Sequence, residues 1–85
     1  MRRGVDIPIW HLSMSLDDTL GIRVNGEHRR VNGGITITEM LNELGLDPHR
    51  VAVERNLAVV ERSKFAELMV EDGDDYEIVH FVGGG

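Results

Sequence analysis

The 85-residue sequence contains no cysteine, and it has only one tryptophan, one tyrosine and two prolines. Without cysteine the chain has no disulfide, no thiolate nucleophile and no cysteine-bound metal. It also lacks an apolar run of the length that crosses a membrane. The basic start Met1-Arg2-Arg3 is followed by Asp6 and Pro8, which interrupt any apolar stretch of signal-peptide length. These absences predict a cytoplasmic protein that is held together by packing alone.

Positive charge is scarce. Nine Lys and Arg residues stand against fifteen Asp and Glu residues, which gives a formal net charge of −6. An acidic surface repels phosphate backbones and anionic lipids, so we expect neither a nucleic-acid partner nor a membrane partner. Such a surface suits a partner with a basic or apolar docking face. The length predicts one small domain with a modest core.

Residues 1–20 show no sustained period of 2 or 3.6, and we interpret them as a flexible N-terminal extension. Two alternatives remain open for this segment. Met14 is a second candidate for the translation start. Ile7, Ile9 and Trp10 are candidates for a short strand or a hook that binds a partner. The folded domain is expected to span residues 21–85.

The first half of the domain has clear hairpin and helix signals. Ile22-Arg23-Val24 alternates in polarity and precedes Asn25-Gly26, which predicts a type I′ hairpin turn. Thr36-Ile37-Thr38-Glu39 has the form of a capping box at the start of a short helix. Gly45 is expected to end that helix in the left-handed conformation. The helix carries one apolar stripe, so it is expected to lie across a sheet.

The second half predicts three further strands, at residues 51–55, 59–60 and 76–82, with a helical turn capped by Ser63 before the last of them. Asp72-Gly73-Asp74 is expected to form the tight turn before the last strand. That strand is expected to insert beside the first and run parallel to it. The whole order predicts an α+β fold with a mixed four- to five-stranded sheet and one main helix across one face.

The chain ends in three glycines, Gly83, Gly84 and Gly85, directly behind the last strand. Glycine lets the backbone approach other atoms closely, so this tail is suited to enter a narrow slot and present the Gly85 carboxylate. The alternatives are a frayed end or simple flexibility. We therefore predict that the terminus, and not a side chain, is the reactive group.

The last strand also predicts a surface for a partner. Side chains alternate along a strand, so exposure of Glu77 implies that Val79 and Phe81 emerge on the same face. Exposed apolar residues beside a reactive tail suggest a docking patch. The predicted partner interface is Val79, Phe81 and Val82. The alternative is that residues 1–20 or a second copy of the chain cover these side chains.

The order and spacing of these motifs resemble the ThiS family of sulfur carrier proteins, within the β-grasp, ubiquitin-like fold. The resemblance covers residues 21–85, and the first twenty residues have no counterpart in the family. It rests on six segments: Val24 to Glu27, Thr36 to Leu41, Val51 to Asn56, Val60 to Ser63, Val70 to Asp74, and the ending Glu77 to Gly85.

The resemblance implies a chemistry at Gly85. An E1-like adenylating enzyme (ThiF-like) joins the Gly85 carboxylate to AMP, using ATP and Mg²⁺ that this enzyme binds. A sulfur donor protein then displaces AMP and leaves a thiocarboxylate, whose sulfur passes to thiazole synthase (ThiG-like) in thiamine biosynthesis. Gly84 and Gly85 allow access to the slot, and Gly83 adds reach. The chain is then a carrier and not an enzyme, it binds no cofactor or metal, and we expect a monomer.

Two other functions remain open. The small subunit of molybdopterin synthase shares this fold and ending, so the final sulfur acceptor is not fixed by the sequence. A non-covalent ubiquitin-like interaction module, whose glycines are incidental, is the second alternative. Other motifs are weak: the four histidines lack the spacing of a metal site, and Asp72, Asp74 and Asp75 lack the rest of a calcium loop.

Overall fold

The computed structural model describes residues 18–81, so the predictions for residues 1–17 and 82–85 lie outside the described part of the chain. Five strands form one mixed sheet in the order β2-β1-β5-β3-β4. One α-helix, α1, lies against it. In chain order the elements are β1 (Thr19–Val24), β2 (Glu27–Asn32), α1 (Ile37–Glu43), β3 (Val51–Arg55), β4 (Ala58–Val60) and β5 (Asp75–His80).

Strands β1 and β2 form the predicted hairpin. Asn25 and Gly26 both have positive φ, at 51° and 86°, as a type I′ turn requires. The strand starts earlier than expected, because Thr19 already pairs with Asn32 and Leu20 packs against the core. The Asp18 carbonyl also accepts from the Gly33 amide at 2.7 Å. Residues 18–20, which were predicted to belong to the flexible extension, are therefore attached to the sheet.

Helix α1 has the two ends that its sequence predicts. Thr36 Oγ1 accepts a hydrogen bond from the Glu39 amide at 3.2 Å, and the Glu39 carboxylate accepts one from the Thr36 amide at 2.9 Å. At the other end Gly45 has φ +80°, and the Leu46 amide donates to the Leu41 carbonyl at 2.8 Å. These are the bonds of a capping box and of a glycine-based C-cap.

The core lies between α1 and one face of the sheet. Its buried residues come from every main element except β4: Ile22, Val24, Val31, Ile37, Met40, Leu41, Val51, Val53, Phe65, Val70, Tyr76 and Ile78. Because the helix presents a single apolar stripe, its burial depends on this sheet face.

The predicted helical turn after β4 is a 3₁₀ turn at Arg62–Lys64. Phe65 is buried and Leu68 partly buried, as expected. The expectation that Ser63 caps this turn is wrong, because Glu61 occupies the cap position and Ser63 lies within the turn.

Strand β5 occupies the centre of the sheet. It pairs parallel with β1, through Arg23 and Asp75, and antiparallel with β3, through Val51 and His80. The parallel pairing with the first strand confirms the predicted insertion. After His80 the Phe81 amide still donates to the β3 side, to the Arg50 carbonyl at 2.8 Å. The tail is therefore attached to the most internal strand of the sheet.

Two asparagines in hairpin turns hold β5 from both sides. The Asn25 side chain donates to the Ile78 carbonyl at 3.1 Å and accepts from the Ile78 amide at 2.8 Å. On the β3–β4 side the Asn56 side chain accepts from the Asp75 amide at 3.0 Å. Both asparagines have positive φ, near 50°. Each side-chain amide thus takes the place of a backbone hydrogen bond between strands, at a point where the neighbouring strand has already ended in its turn.

Replacing Asn25 by glycine should lower the free energy of unfolding by about 1–3 kcal/mol, because it leaves the partly buried amide and carbonyl of Ile78 without this partner. Glycine accepts the positive φ, so the turn itself stays unstrained. Urea unfolding measures the loss. The matched control is Leu57→Gly, because Leu57 also has a positive φ, 73°, in a hairpin turn, and its side chain is 91% exposed. An equal loss in both variants would contradict a specific role for the Asn25 amide.

Candidate functional site

The end of β5 carries two exposed apolar side chains. Val79 is 60% exposed and Phe81 is 47% exposed, whereas Tyr76 and Ile78 are buried in the core. The predicted alternation of the last strand is therefore confirmed, with Glu77 exposed like Val79 and Phe81. Of the remaining predicted site residues, Val82, Gly83, Gly84 and Gly85 lie outside the described residues.

The sheet face around these side chains is apolar near the tail, and further away it carries two carboxylates together with the exposed Val59. On β3, Ala52 lies opposite Val79 and is also exposed, so we call Ala52, Val79 and Phe81 the outer patch. Two residues further along each strand, on the same face, Glu54 lies opposite Glu77. The two carboxylates therefore border the outer patch on the side away from the tail. Such a surface suits a partner with an apolar centre and a basic rim.

A third feature at this end of the sheet is the side chain of Arg62. Its Nε donates to the Pro48 carbonyl at 3.1 Å, and its Nη2 donates to the Val51 carbonyl at 2.7 Å. Its guanidinium carbon lies 5.6 Å from the centre of the Phe81 ring and 6.0 Å from that of Phe65. These distances are within the range of a cation–π contact. Arg62 is not among the site residues that the sequence predicts.

An apolar cleft of about 230 Å³ opens beside the Phe81 ring. Arg62 and Phe65 lie along it together with residues of β3 and β4. Because Phe81 lines the cleft and is also half-exposed, its ring belongs both to the domain and to the outer patch.

At the start of β5 a buried carboxylate fixes the turn. Asp74 is only 5% exposed, and it accepts hydrogen bonds from the Tyr76 hydroxyl at 2.8 Å and from the Glu71 amide at 2.9 Å. Arg55 Nη1 lies 3.5 Å from Asp74 Oδ2, and it also donates to the Met69 carbonyl at 2.8 Å. The predicted tight turn is present, but Asp74 also serves as an internal anchor for β5.

Burial, together with the hydrogen bond to Asp74, raises the pKa of Tyr76 above its ordinary value of 10.0. A raised pKa in the folded state means that the folded chain keeps this proton at a pH where the unfolded chain has lost it. The contribution to stability is therefore fully present below about pH 10, and it is lost as the pH rises from there toward the raised pKa.

We accordingly expect the unfolding free energy to fall above about pH 10, with this group contributing up to about 1.4 kcal/mol per pH unit. Urea unfolding from about pH 8 to pH 11 measures this slope, and Tyr76→Phe is the comparison variant because it cannot ionise. Tyr76 is the only tyrosine, so tyrosinate absorbance reports its ionisation alone. The same alkaline slope in Tyr76→Phe as in the unchanged chain would contradict this assignment.

Within residues 18–81 there is no group of three or more His, Asp or Glu side chains that could hold a metal ion. In the same part of the chain no helix has the length and apolar character needed to cross a membrane. In the predicted turn at Asp72-Gly73-Asp74, the Asp74 amide donates to the Glu71 carbonyl at 3.1 Å, and the Gly73 amide donates to the Gly21 carbonyl at 2.8 Å.

A mixed five-stranded sheet with one helix across it and a central last strand defines a protein of the β-grasp, ubiquitin-like class. A model of the ThiS family matches residues 22–85. The chain belongs to the ThiS family, and the family predicted from the sequence is confirmed.

Individual relatives agree with this assignment. The sulfur carrier protein ThiS of Bacillus subtilis is 42% identical over 50 residues, which cover 59% of this chain and 76% of that protein. The crystal structure of the thiamine biosynthesis protein ThiS from Geobacter metallireducens matches with a TM-score of 0.65 and 38% identity. That match covers 78% of this chain and 100% of the other. The predicted β-grasp fold is thereby confirmed.

Two longer relatives have a different name. The thiazole synthase of Paramagnetospirillum magneticum is 50% identical over 62 residues, and that of Magnetococcus marinus is 44% identical over 64 residues. The matches cover 73% and 75% of this chain. They cover only 19% and 20% of those proteins, so the chain spans about a fifth of the length of each.

Proposed function

We propose that this chain is a sulfur carrier of thiamine biosynthesis and that it carries sulfur as a thiocarboxylate on Gly85. The observation that carries the proposal is the family match, which extends through Gly85. The fold supports it, because the central strand β5 leads directly into the glycine tail, beside an exposed apolar patch.

A carboxylate needs activation before sulfur can replace one of its oxygens. The oxide is a very poor leaving group, and the negative charge repels an incoming nucleophile. We propose that an E1-like enzyme transfers AMP from ATP to the Gly85 carboxylate with release of pyrophosphate. AMP is then a competent leaving group, and the outer sulfur of a persulfide on the sulfur donor attacks the acyl carbon and displaces it. A second thiol then attacks the inner sulfur of the donor, which breaks the S–S bond, forms a disulfide with the donor and releases the Gly85 thiocarboxylate. ATP and Mg²⁺ belong to the adenylating enzyme in this scheme.

The carrier itself contributes the position of its Gly85 carboxylate relative to the partner's reactive groups. In the proposed scheme no side chain of this chain acts as acid, base or nucleophile, so the chain is a substrate of enzymes and not an enzyme. Docking converts a bimolecular encounter into a held geometry, in which the tail already lies in the slot. Stabilisation of the developing charge comes from the partner's site.

The outer patch, continued by Val82, is the proposed docking surface for the partners. Val79 and Phe81 supply exposed apolar area next to the tail, and Glu54 and Glu77 add negative charge at its border. Apolar contact at the centre of an interface provides most of its affinity, while rim charges guide association. We therefore propose adenylating enzymes and acceptors with an apolar docking centre surrounded by cations.

Thiazole synthase is the proposed sulfur acceptor. Two relatives named thiazole synthase contain a segment that is similar to this chain within a much longer polypeptide. Physical linkage of a carrier-like segment to a synthase supports direct contact between the two. A molybdopterin-synthase acceptor is the alternative. The expected cytoplasmic location and monomeric state stay predictions.

Separate incubations of the thiocarboxylate form with thiazole synthase and with the large subunit of molybdopterin synthase distinguish the acceptors. Each mixture receives the remaining substrates of its own enzyme. We expect the chain to return to its carboxylate mass only with thiazole synthase. Loss of sulfur only in the molybdopterin mixture would reject the proposed acceptor while retaining the carrier function.

A further inference from the structure

We propose that Arg62 is a positioning residue, which holds Phe81 against the domain and thereby fixes the direction in which the tail leaves β5. The inference rests on the proposed function, in which the tail is the reactive group. It assigns to Arg62 a part in presenting that tail to the adenylating enzyme.

The guanidinium of Arg62 is itself held by backbone atoms. Its Nε and Nη2 donate to the carbonyls of Pro48 and Val51, at 3.1 and 2.7 Å. These two residues bracket Arg50, whose carbonyl accepts from the Phe81 amide at 2.8 Å. Arg62 is therefore fixed to the same short stretch of backbone that accepts the last described hydrogen bond of the strand that leads to the tail.

The guanidinium of Arg62 also contacts the Phe81 ring, the side chain that it is proposed to hold. The Phe81 ring centre lies 5.6 Å from the guanidinium carbon, and the buried Phe65 ring lies 6.0 Å away. The Phe81 ring is 47% exposed, so its rotamer is less constrained by packing than that of a core side chain. Contact with a guanidinium that is bonded to backbone adds such a constraint, and a planar guanidinium suits this role better than a lysine ammonium.

Fixing Phe81 matters because only four residues separate it from the terminal carboxylate. A fully extended segment of that length spans about 14 Å, so a small change in direction at Phe81 displaces the carboxylate by several ångströms. A tail that starts from a fixed Phe81 loses less conformational freedom when it enters the slot. The expected effect is on productive binding, and much less on the chemical step once the tail is in place.

The kinetic test uses Arg62→Met, which keeps a long side chain but removes the charge and the donors. We expect the KM for the carrier in adenylation to rise by about three- to tenfold, with kcat changed less than about twofold. Arg50→Gln is the matched control, since Arg50 is an exposed arginine at the same end of β3 that pairs with Asp47. It should leave both constants unchanged.

A double-mutant cycle with Phe81→Leu separates positioning from a general effect on folding. If Arg62 acts through Phe81, Arg62→Met adds less than about a twofold change in the Phe81→Leu background. The same rise in KM in both backgrounds would overturn the proposal. A fall in kcat at unchanged KM would also overturn it.

A second measurement leaves Arg62 in place and so remains valid even if Arg62→Met fails to fold. In nuclear magnetic resonance spectra the Arg62 Nε–H signal should shift when Phe81→Leu removes the ring, and the backbone amide of residue 81 should exchange faster than in the unchanged chain. No shift and no change in exchange would refute the contact. If the unchanged chain is not adenylated at all, the proposed function fails, whereas these two signals still decide whether Arg62 holds Phe81.

Discussion

Addition of one tryptophan after Gly85 abolishes adenylation and sulfur transfer in the proposed account. The carboxylate that receives AMP would then belong to a bulky residue, and the side chain would enter a slot shaped for glycine. Glycine has no Cβ, so a slot that fits glycine is too narrow for any other residue. A loss of at least about a hundredfold in kcat/KM is expected, comparable to the effect of a misplaced reacting group. ATP–pyrophosphate exchange with the adenylating enzyme measures it.

The control for this experiment restores the original end. Carboxypeptidase removal of the added tryptophan, verified by intact mass, should return the rate to that of the unchanged chain. An extended chain that still donates sulfur without prior trimming would show that Gly85 is not the reactive terminus.

Charged residues at the outer patch should abolish adenylation while the fold persists. Val79→Asp and Phe81→Asp each place a carboxylate in a surface that we propose becomes buried against the partner. An unpaired buried charge at the centre of an interface costs several kcal/mol, so we expect a loss of about 30- to 1000-fold in kcat/KM. Val79 is 60% exposed, so the unfolding free energy of Val79→Asp should change by less than about 1 kcal/mol. Phe81→Asp also removes a half-buried ring that lines the cleft beside Arg62, so it should cost about 1–3 kcal/mol more.

Leu57→Asp is the matched control for the outer patch. Leu57 is 91% exposed and lies in the β3–β4 turn. That turn is at the opposite end of β3 from Val51, which pairs with His80 next to the outer patch. Its φ of 73° suits aspartate better than leucine. This variant should be adenylated at the normal rate. Equal loss in Leu57→Asp, or no loss in Val79→Asp, would reject the outer patch as the docking surface.

The features that the sequence predicted are those set by neighbouring residues. The capping box from Thr36 to Glu39, the left-handed Gly45 and the Asn25-Gly26 turn each depend on a few adjacent positions. The exposure of Val79 and Phe81 followed from alternation within one strand. Such local patterns can be predicted from the sequence because the geometry of a few adjacent residues determines them.

The features that escaped prediction join residues far apart in the chain. The bonds from Asn25 to Ile78 span 53 positions, and those from Asn56 to Asp75 span 19. In the sequence these asparagines indicate turns, and nothing there shows that their side chains bind a strand. Long-range partners of this kind become visible only when the strand order is known.

Arg62 and Asp74 illustrate the same limit for charged residues. Each occupies a segment that is typical of a solvent-exposed turn. Yet Arg62 donates to backbone carbonyls beside Phe81, and Asp74 is buried and accepts a hydrogen bond from the Tyr76 hydroxyl. The start of β1 differed from prediction for a related reason. Leu20 is part of the fold because its side chain packs against the core that forms between the sheet and α1. The composition of residues 18–21 does not predict this contact.

Intact-mass analysis of the full chain tests the central claim most directly. The chain is incubated with the adenylating enzyme, ATP, Mg²⁺ and a sulfur donor, and the C-terminal peptide is then isolated. The account predicts a mass gain equal to the replacement of one oxygen by sulfur, confined to that peptide and absent without ATP. An unchanged mass with a partner that is shown to adenylate another carrier would contradict the account.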